Sequence, residues 1–194
     1  MKLIFATHNP NKVIELKKQL PTHISISDLL ELGFDEEIPE TENTLEGNAI
    51  LKATHIHKKT GSDVFADDTG LEIEALNGEP GVFSARYAGN DKNAAENINK
   101  VLENMKGITN RNAQFRTVFA VIVAGKLHLL EGIIKGTILT QPSGNNGFGY
   151  DPIFCPNGYT QSFAEISLDE KSKISHRGLA TEKLVQFLKN HLNR

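Results

Sequence analysis

"VFADDTGLEIEAL", residues 64–76, opens as an apolar strand, sets Asp67 and Asp68 side by side, and resumes as a second strand-like run after Thr69 and Gly70. A short apolar run bounded by polar residues predicts a buried strand, and the carboxylates then fall where that strand ends. Acids in a turn are ordinarily solvated or cap the next element. Two neighbouring ionised carboxylates, however, repel unless one is protonated or a cation lies between them. Magnesium takes hard oxygen ligands, one or two carboxylates together with waters and phosphate oxygens. The pair therefore asks for a metal, and Glu40 of "IPETENT" is a further carboxylate available to it.

Upstream, residues 45–59 read as a helix with Ala49, Leu51, Ala53 and Ile56 available for burial, closed by Gly61. Before it lie an acidic connection, "GFDEEIPETENT", and a short strand at 24–27. The chain opens with a strand at 2–6, a polar loop, and a helix whose N-cap is Asn9 with Pro10 at its first position; Val13, Leu16 and Leu20 share one face. Downstream come the loop "NGEPG", a helix at 91–105, and strands at 114–124 and 126–139 joined at "AGK" as a hairpin. A glycine-rich loop, "QPSGNNGFGYDP", precedes a last helix from Arg177 with Leu184, Phe187 and Leu188 facing inward. Early alternation of strands and helices with a late hairpin argues for α/β with a mixed sheet. With neither linker nor repeat, residues 1–194 read as one domain.

Hydrophobic residues make up 39% and charged ones 23%, as in an ordinary soluble protein, and no run is long and apolar enough to cross a bilayer. "MKLIFATHN" turns polar too soon for a secretion signal, so a cytoplasmic protein is expected. Cys155 stands alone, which excludes an internal disulfide and a zinc site built from several thiolates. A formal charge of −3 offers no global field for nucleic acid or membrane, so anion binding must be local.

Three further segments carry candidate chemistry. "THNPNK" leads a strand into a helix, where free backbone N–H groups, the dipole and Lys12 make a phosphate seat, although it lacks the glycine spacing of a Walker loop. "NNGFGYD" places Phe148 and Tyr150 in a glycine-rich loop, where aromatic rings are exposed unless they pack or stack on something flat, such as a purine. "EKSKISHRG" sets Lys171, His176 and Arg177 before the last helix; a solvated basic face is the ordinary reading, donors to a purine carbonyl or a phosphate the sharper one.

Taken in order, "THNPNK", "IPETENTLEGNAILKA", "FADDTGLEIEALNGEPGVFSARYAG", "GFGYDPIF" and "EKSKISHRGLA" resemble the inosine triphosphate pyrophosphatase family, the Ham1-like noncanonical purine NTP pyrophosphatases, over nearly the whole chain. The resemblance implies a long mixed sheet dividing two lobes with the nucleotide in the cleft, a homodimer, and magnesium-dependent hydrolysis of ITP, dITP and XTP to the monophosphate and pyrophosphate, cleansing the nucleotide pool. It implies that the segment Thr7, His8, Asn9, Pro10, Asn11 and Lys12 binds the triphosphate, through Thr7, Asn9 and Lys12, with Lys52 adding charge. Glu40 and Asp68 would bind magnesium, Asp68 would also be the general base, Asp67 would support the metal or its water, and Thr69 would touch substrate. Phe148, Gly149, Tyr150 and Asp151 would wall the base pocket, Lys171, His176 and Arg177 would read the purine, and Arg86 is a further candidate for a phosphate or pocket contact.

Three positions depart from the family's pattern: His8 and Glu42 stand where glycine is common, and Gly47 where a second glutamate is usual. His8 would crowd the phosphate loop or add a donor to it, and the other two weaken the assignment of Glu40. Two competing readings keep the pocket: a sensor that binds a purine triphosphate without cleaving it, and a pyrophosphatase for pyrimidine or modified nucleotides. A scaffold role leaves the polar clusters without a reason to occur together.

Overall fold

The computed structural model describes residues 1–192, so the last two residues of the expected domain lie outside the described residues. Strand β3, Val64–Ile73, does not stop at the acidic pair. This corrects the expectation of a strand end at Asp67 and Asp68: each carboxylate has buried partners, so the backbone can stay extended through them. Gly70 marks a close approach rather than a turn, because a Cβ there would lie 2.7 Å from the carbonyl oxygen of Gly81. With nearly every residue of β3 buried, both faces are covered and a period of two is invisible in the sequence.

Around β3 lie β1 (Lys2–Phe5), α1 (Pro10–Lys17), β2 (Ser25–Asp28) and α2 (Leu45–Thr60) on the N-terminal side. On the C-terminal side follow α3 (Ala94–Asn104), β4 (Asn112–Val123), β5 (Lys126–Ile138), β6 (Phe154–Pro156), α4 (Leu168–Ile174) and α5 (His176–Leu192). The sheet order is β2-β1-β3-β4-β5-β6. β1 pairs parallel with β2 and β3, and β5 pairs antiparallel with β6, so the expected α/β class with a mixed sheet holds.

Local chemistry explains the boundaries. The Asn9 side chain accepts from the N–H groups of Asn11 and Lys12 and Pro10 opens α1, as read from the sequence. That helix ends at Lys17, short of Leu20, because Pro21 disfavours helical backbone at the residue before it. Thr44 caps α2, and Gly61 ends it in the left-handed region with φ 66°. β4 and β5 join through Ala124 and Gly125, both at positive φ, the conformation a two-residue hairpin turn requires. Helix α4 and strand β6 were not anticipated; both are short, although Ser167, which caps α4 by accepting from Glu170 N–H, and Glu170 three residues on form a legible capping signature.

The described chain forms two compact units, and β3, β4 and β5 each contribute residues to both. The first comprises residues 1–68, 117–132 and those from 177 onward, with a core of Leu3, Phe5, Val13, Leu16, Phe65, Phe119, Leu184 and Leu188. The second comprises 69–116 and 133–176, around Leu71, Ile73, Val101, Phe115, Tyr150, Phe154 and Phe163.

Candidate active site

In the first unit, the alternation of β3 sends Asp67 and Asp68 to opposite faces. Asp67, 1% exposed, meets Lys12 Nζ at 2.9 Å and Arg177 Nη2 at 3.3 Å. Burial pushes its pKa up, but Lys12 and Arg177 outweigh it and hold the carboxyl well below the ordinary range. Asp68 meets Lys52 Nζ at 3.3 Å and the Asn48 side-chain amide at 3.2 Å. Here burial prevails, with Glu40 adding to it, and the pKa stands above the ordinary value. The two acids thus face different nearest cations, and the repulsion that remains between them adds to the upward shift at Asp68.

Lys52 Nζ also donates to Glu40 Oε1 at 2.6 Å, so one ammonium spans Glu40 and Asp68. Burial pulls the Lys52 pKa down, but these carboxylates outweigh it and raise it. For Lys12 burial is the largest effect and its pKa is lowered, despite Asp67. Among the described residues no three His, Cys, Asp or Glu side chains converge on one point as a metal cage.

The loop before α1 differs from a bare phosphate seat. Asn9 Oδ1 already accepts from Asn11 N–H at 3.0 Å and Lys12 N–H at 3.4 Å, and Pro10 has no N–H. The cap that makes the helix therefore engages its first donors. Thr7 Oγ1 accepts from Asn9 N–H. His8 Nε2 donates to the Phe34 carbonyl at 2.7 Å.

Arg177 is held by two carboxylates. It is 1% exposed, with Nη1 on Glu15 Oε2 at 2.6 Å and Nη2 on Asp67. Glu15, on the inner face of α1, was missed; a lone glutamate at a buried helical position beside Leu16 was the available signal.

In the second unit, Lys171 Nζ pairs with Asp151 Oδ2 at 2.6 Å, both nearly fully buried, and Asp151 also accepts from Phe148 N–H at 2.7 Å. The Lys171 ammonium lies 4.9 Å from the Phe148 ring centroid. His176 stacks on Phe115 with centroids 4.6 Å apart and planes 19° from parallel. Tyr150 packs rather than standing exposed: it is buried in the core and its hydroxyl donates to the Ser84 carbonyl at 2.8 Å. Phe148 and Gly149 remain partly exposed, as does Thr69 in β3. Arg86 lies 5.4 Å from the ring centroid of Phe83.

The chain, with its mixed sheet, belongs to the Ham1 family, whose model matches residues 3–187. The dITP/XTP pyrophosphatase of Flavobacterium psychrophilum is 56% identical over 190 residues, covering 98% of this chain and 100% of the relative. That of Christiangramia forsetii is 52% identical over 188 residues, covering 97% and 99%. Among solved structures, a HAM1 protein from Coxiella burnetii matches with a TM-score of 0.90 at 39% identity, covering 98% of this chain and 99% of that one.

Proposed function

We propose that this chain is a pyrophosphatase that hydrolyses ITP, dITP and XTP to the monophosphate and pyrophosphate, removing noncanonical purines from the nucleotide pool. Beyond family membership, the observation that carries the reading is the Lys52 ammonium held between Glu40 and Asp68. Two carboxylates that already share a cation form the hard-oxygen donor set magnesium takes alongside waters and phosphate oxygens, so the residues fit that metal and Glu40 and Asp68 would hold it. When bound, magnesium supplies charge neutralisation on the triphosphate and a more acidic water.

The chain's own residues do the rest. Lys12, oriented by Asp67, and Lys52 place positive charge against the triphosphate, with Thr7 as a hydroxyl contact. Asp68 orients the attacking water and takes its proton; a pKa raised by burial makes it the better base of the acidic pair. Asp67 stays ionised and serves Lys12 and Arg177, so Arg177 acts through Asp67 rather than on the base. Phe148 offers a flat face to the purine, and Lys171 and His176 supply donors. Inosine and xanthine carry a carbonyl at C6 where adenine carries an amino group, so a donor here is satisfied by the first two and left unpaired by the third.

We further read the two units as one catalytic domain and the protein as a cytoplasmic homodimer. In support of one domain, β3, β4 and β5 each contribute residues to both units. The test is pyrophosphate release from ITP, dITP, XTP, ATP, GTP and dTTP, with magnesium and with chelator. Release from the first three far above the others, abolished by chelator, is expected. Thermal stabilisation by ITP without release would favour a sensor instead, and comparable release from dTTP a broader pyrophosphatase.

A further inference from the structure

We propose that Asn48 is the positioning residue for Asp68, and that the bare backbone of Gly47 is what brings its second partner within reach. The proposal rests on the reading that Asp68 takes part in the reaction. Asn48 lies in the first turn of α2 and is fully buried. Its Oδ1 accepts from the backbone N–H of Glu42 at 3.0 Å, and its Nδ2 donates to Asp68 Oδ2 at 3.2 Å. The first bond settles the orientation of the amide, because only the oxygen can accept from an N–H, so the NH2 must face the carboxylate.

The other oxygen of Asp68 accepts from Lys52 at 3.3 Å. Asn48 and Lys52 are four residues apart and so lie on the same face of α2. One rigid helix therefore holds both carboxylate oxygens, one by an amide and one by a charge, which fixes the plane in which Asp68 presents them.

Gly47 explains how Glu42 arrives. A Cβ at position 47 would lie 2.7 Å from Glu42 Cβ and 3.0 Å from Thr44 Oγ1, closer than a real side chain tolerates. The loop carrying Glu42 thus packs onto the helix where a side chain is missing, and two residues earlier the same loop delivers Glu40 to Lys52. The Glu42 side chain occupies the space that a side chain at position 47 would take.

The test compares Asn48→Asp, which keeps an acceptor for Glu42 N–H and loses the donor to Asp68, with Asn48→Ala, which loses both. In both variants kcat for ITP at saturating magnesium falls about tenfold or more, with KM held within about twofold. The melting temperature of the metal-free protein falls in both, in Asn48→Ala through the bonds lost and in Asn48→Asp through a second carboxylate buried against Asp68. Wild-type kcat in Asn48→Asp overturns the proposal. Should neither variant fold, Gly47→Ala decides: it lowers kcat by displacing the loop, and adding Glu42→Gly restores it by removing the colliding Cβ. Failure of that rescue also overturns the proposal. If the wild type releases no pyrophosphate, the proposed function fails separately, and an Asp68 carboxylate left unrotated in a crystal structure of metal-free Asn48→Ala rejects the positioning role.

Discussion

In the first unit Lys12, Lys52 and Arg177 meet Glu15, Glu40, Asp67 and Asp68, whereas in the second Lys171 and Asp151 form a neutral pair set beside Phe148 and Phe163. The named groups of the first unit carry more negative than positive charge, and each lysine there is shared with a carboxylate. Such an arrangement can exchange its internal partners for a metal and a polyanion, because neither arrival leaves a buried charge unpaired. The second cluster has its charge cancelled internally and presents rings, which suits a flat, uncharged ligand. The difference teaches that buried ion pairs take two forms in this fold: in one unit cations are shared among several carboxylates, and in the other a single pair braces the loop beside a partly exposed aromatic ring.

The largest effect is expected where charge serves chemistry. Asp68→Asn lowers kcat on the order of 10^2- to 10^4-fold, the usual worth of a positioned base, while the melting temperature holds. Burial already disfavours the Asp68 charge, so neutralising it costs the fold little. Steady-state kinetics beside a thermal melt checks both, and retained turnover would break the assignment.

Asp67→Asn separates the two neighbouring acids. Removing this carboxylate leaves Lys12 and Arg177 without their shared partner, and loss of one member of such a buried cluster costs about 3–5 kcal/mol. The pH dependence has a definite sign. Because the folded-state pKa of Asp67 is depressed, its contribution is fully present above the ordinary carboxylate value of about 3.9 and is lost as pH falls toward the depressed value. Urea unfolding at a series of acidic pH values should therefore show a steep loss in the wild type and a flatter one in Asp67→Asn.

A smaller effect is expected in the second unit. His176→Phe keeps the stack on Phe115 and removes the ring nitrogens. The ITP-over-ATP ratio of kcat/KM should fall about tenfold, since a lost donor to the C6 carbonyl is worth about 1.4 kcal/mol, with the melting temperature held. An unchanged ratio would move base selection to Lys171 and the loop of Phe148.

How much of this was legible beforehand follows from what each signal is made of. The Asn9 cap, the α2 limits and the hairpin at Ala124 and Gly125 are local, so a few neighbouring residues announce them. The continuity of β3 was not legible, because the partners that keep Asp67 and Asp68 in a strand come from α1, α2 and α5, far away in the chain. The carboxylate partners of Arg177 were not legible for the same reason: they lie 162 and 110 residues off, and no spacing rule reaches that far. Asn48 looked like an ordinary helical residue, since a side-chain amide gains meaning only from the two groups it joins.

Tyr150→Phe probes the weakest boundary of the comparison, between aromatic residues that pack and those left to face a ligand. The Tyr150 ring is in the core and its hydroxyl donates to the carbonyl of Ser84. That same serine accepts from Leu71 N–H through its side chain at 2.9 Å, so Tyr150 and β3 brace one point of the turn spanning Gly81–Arg86. Burial raises the Tyr150 pKa, so the group is a neutral donor throughout the neutral range and its loss has no charge component. Removing the hydroxyl should cost about 1 kcal/mol, a drop of about 2–4 °C for a chain of this size, with kcat/KM for ITP within about twofold of wild type. A tenfold rise in KM with an unchanged melt would instead place the hydroxyl on the substrate, and the aromatic wall would then include Tyr150 as well as Phe148.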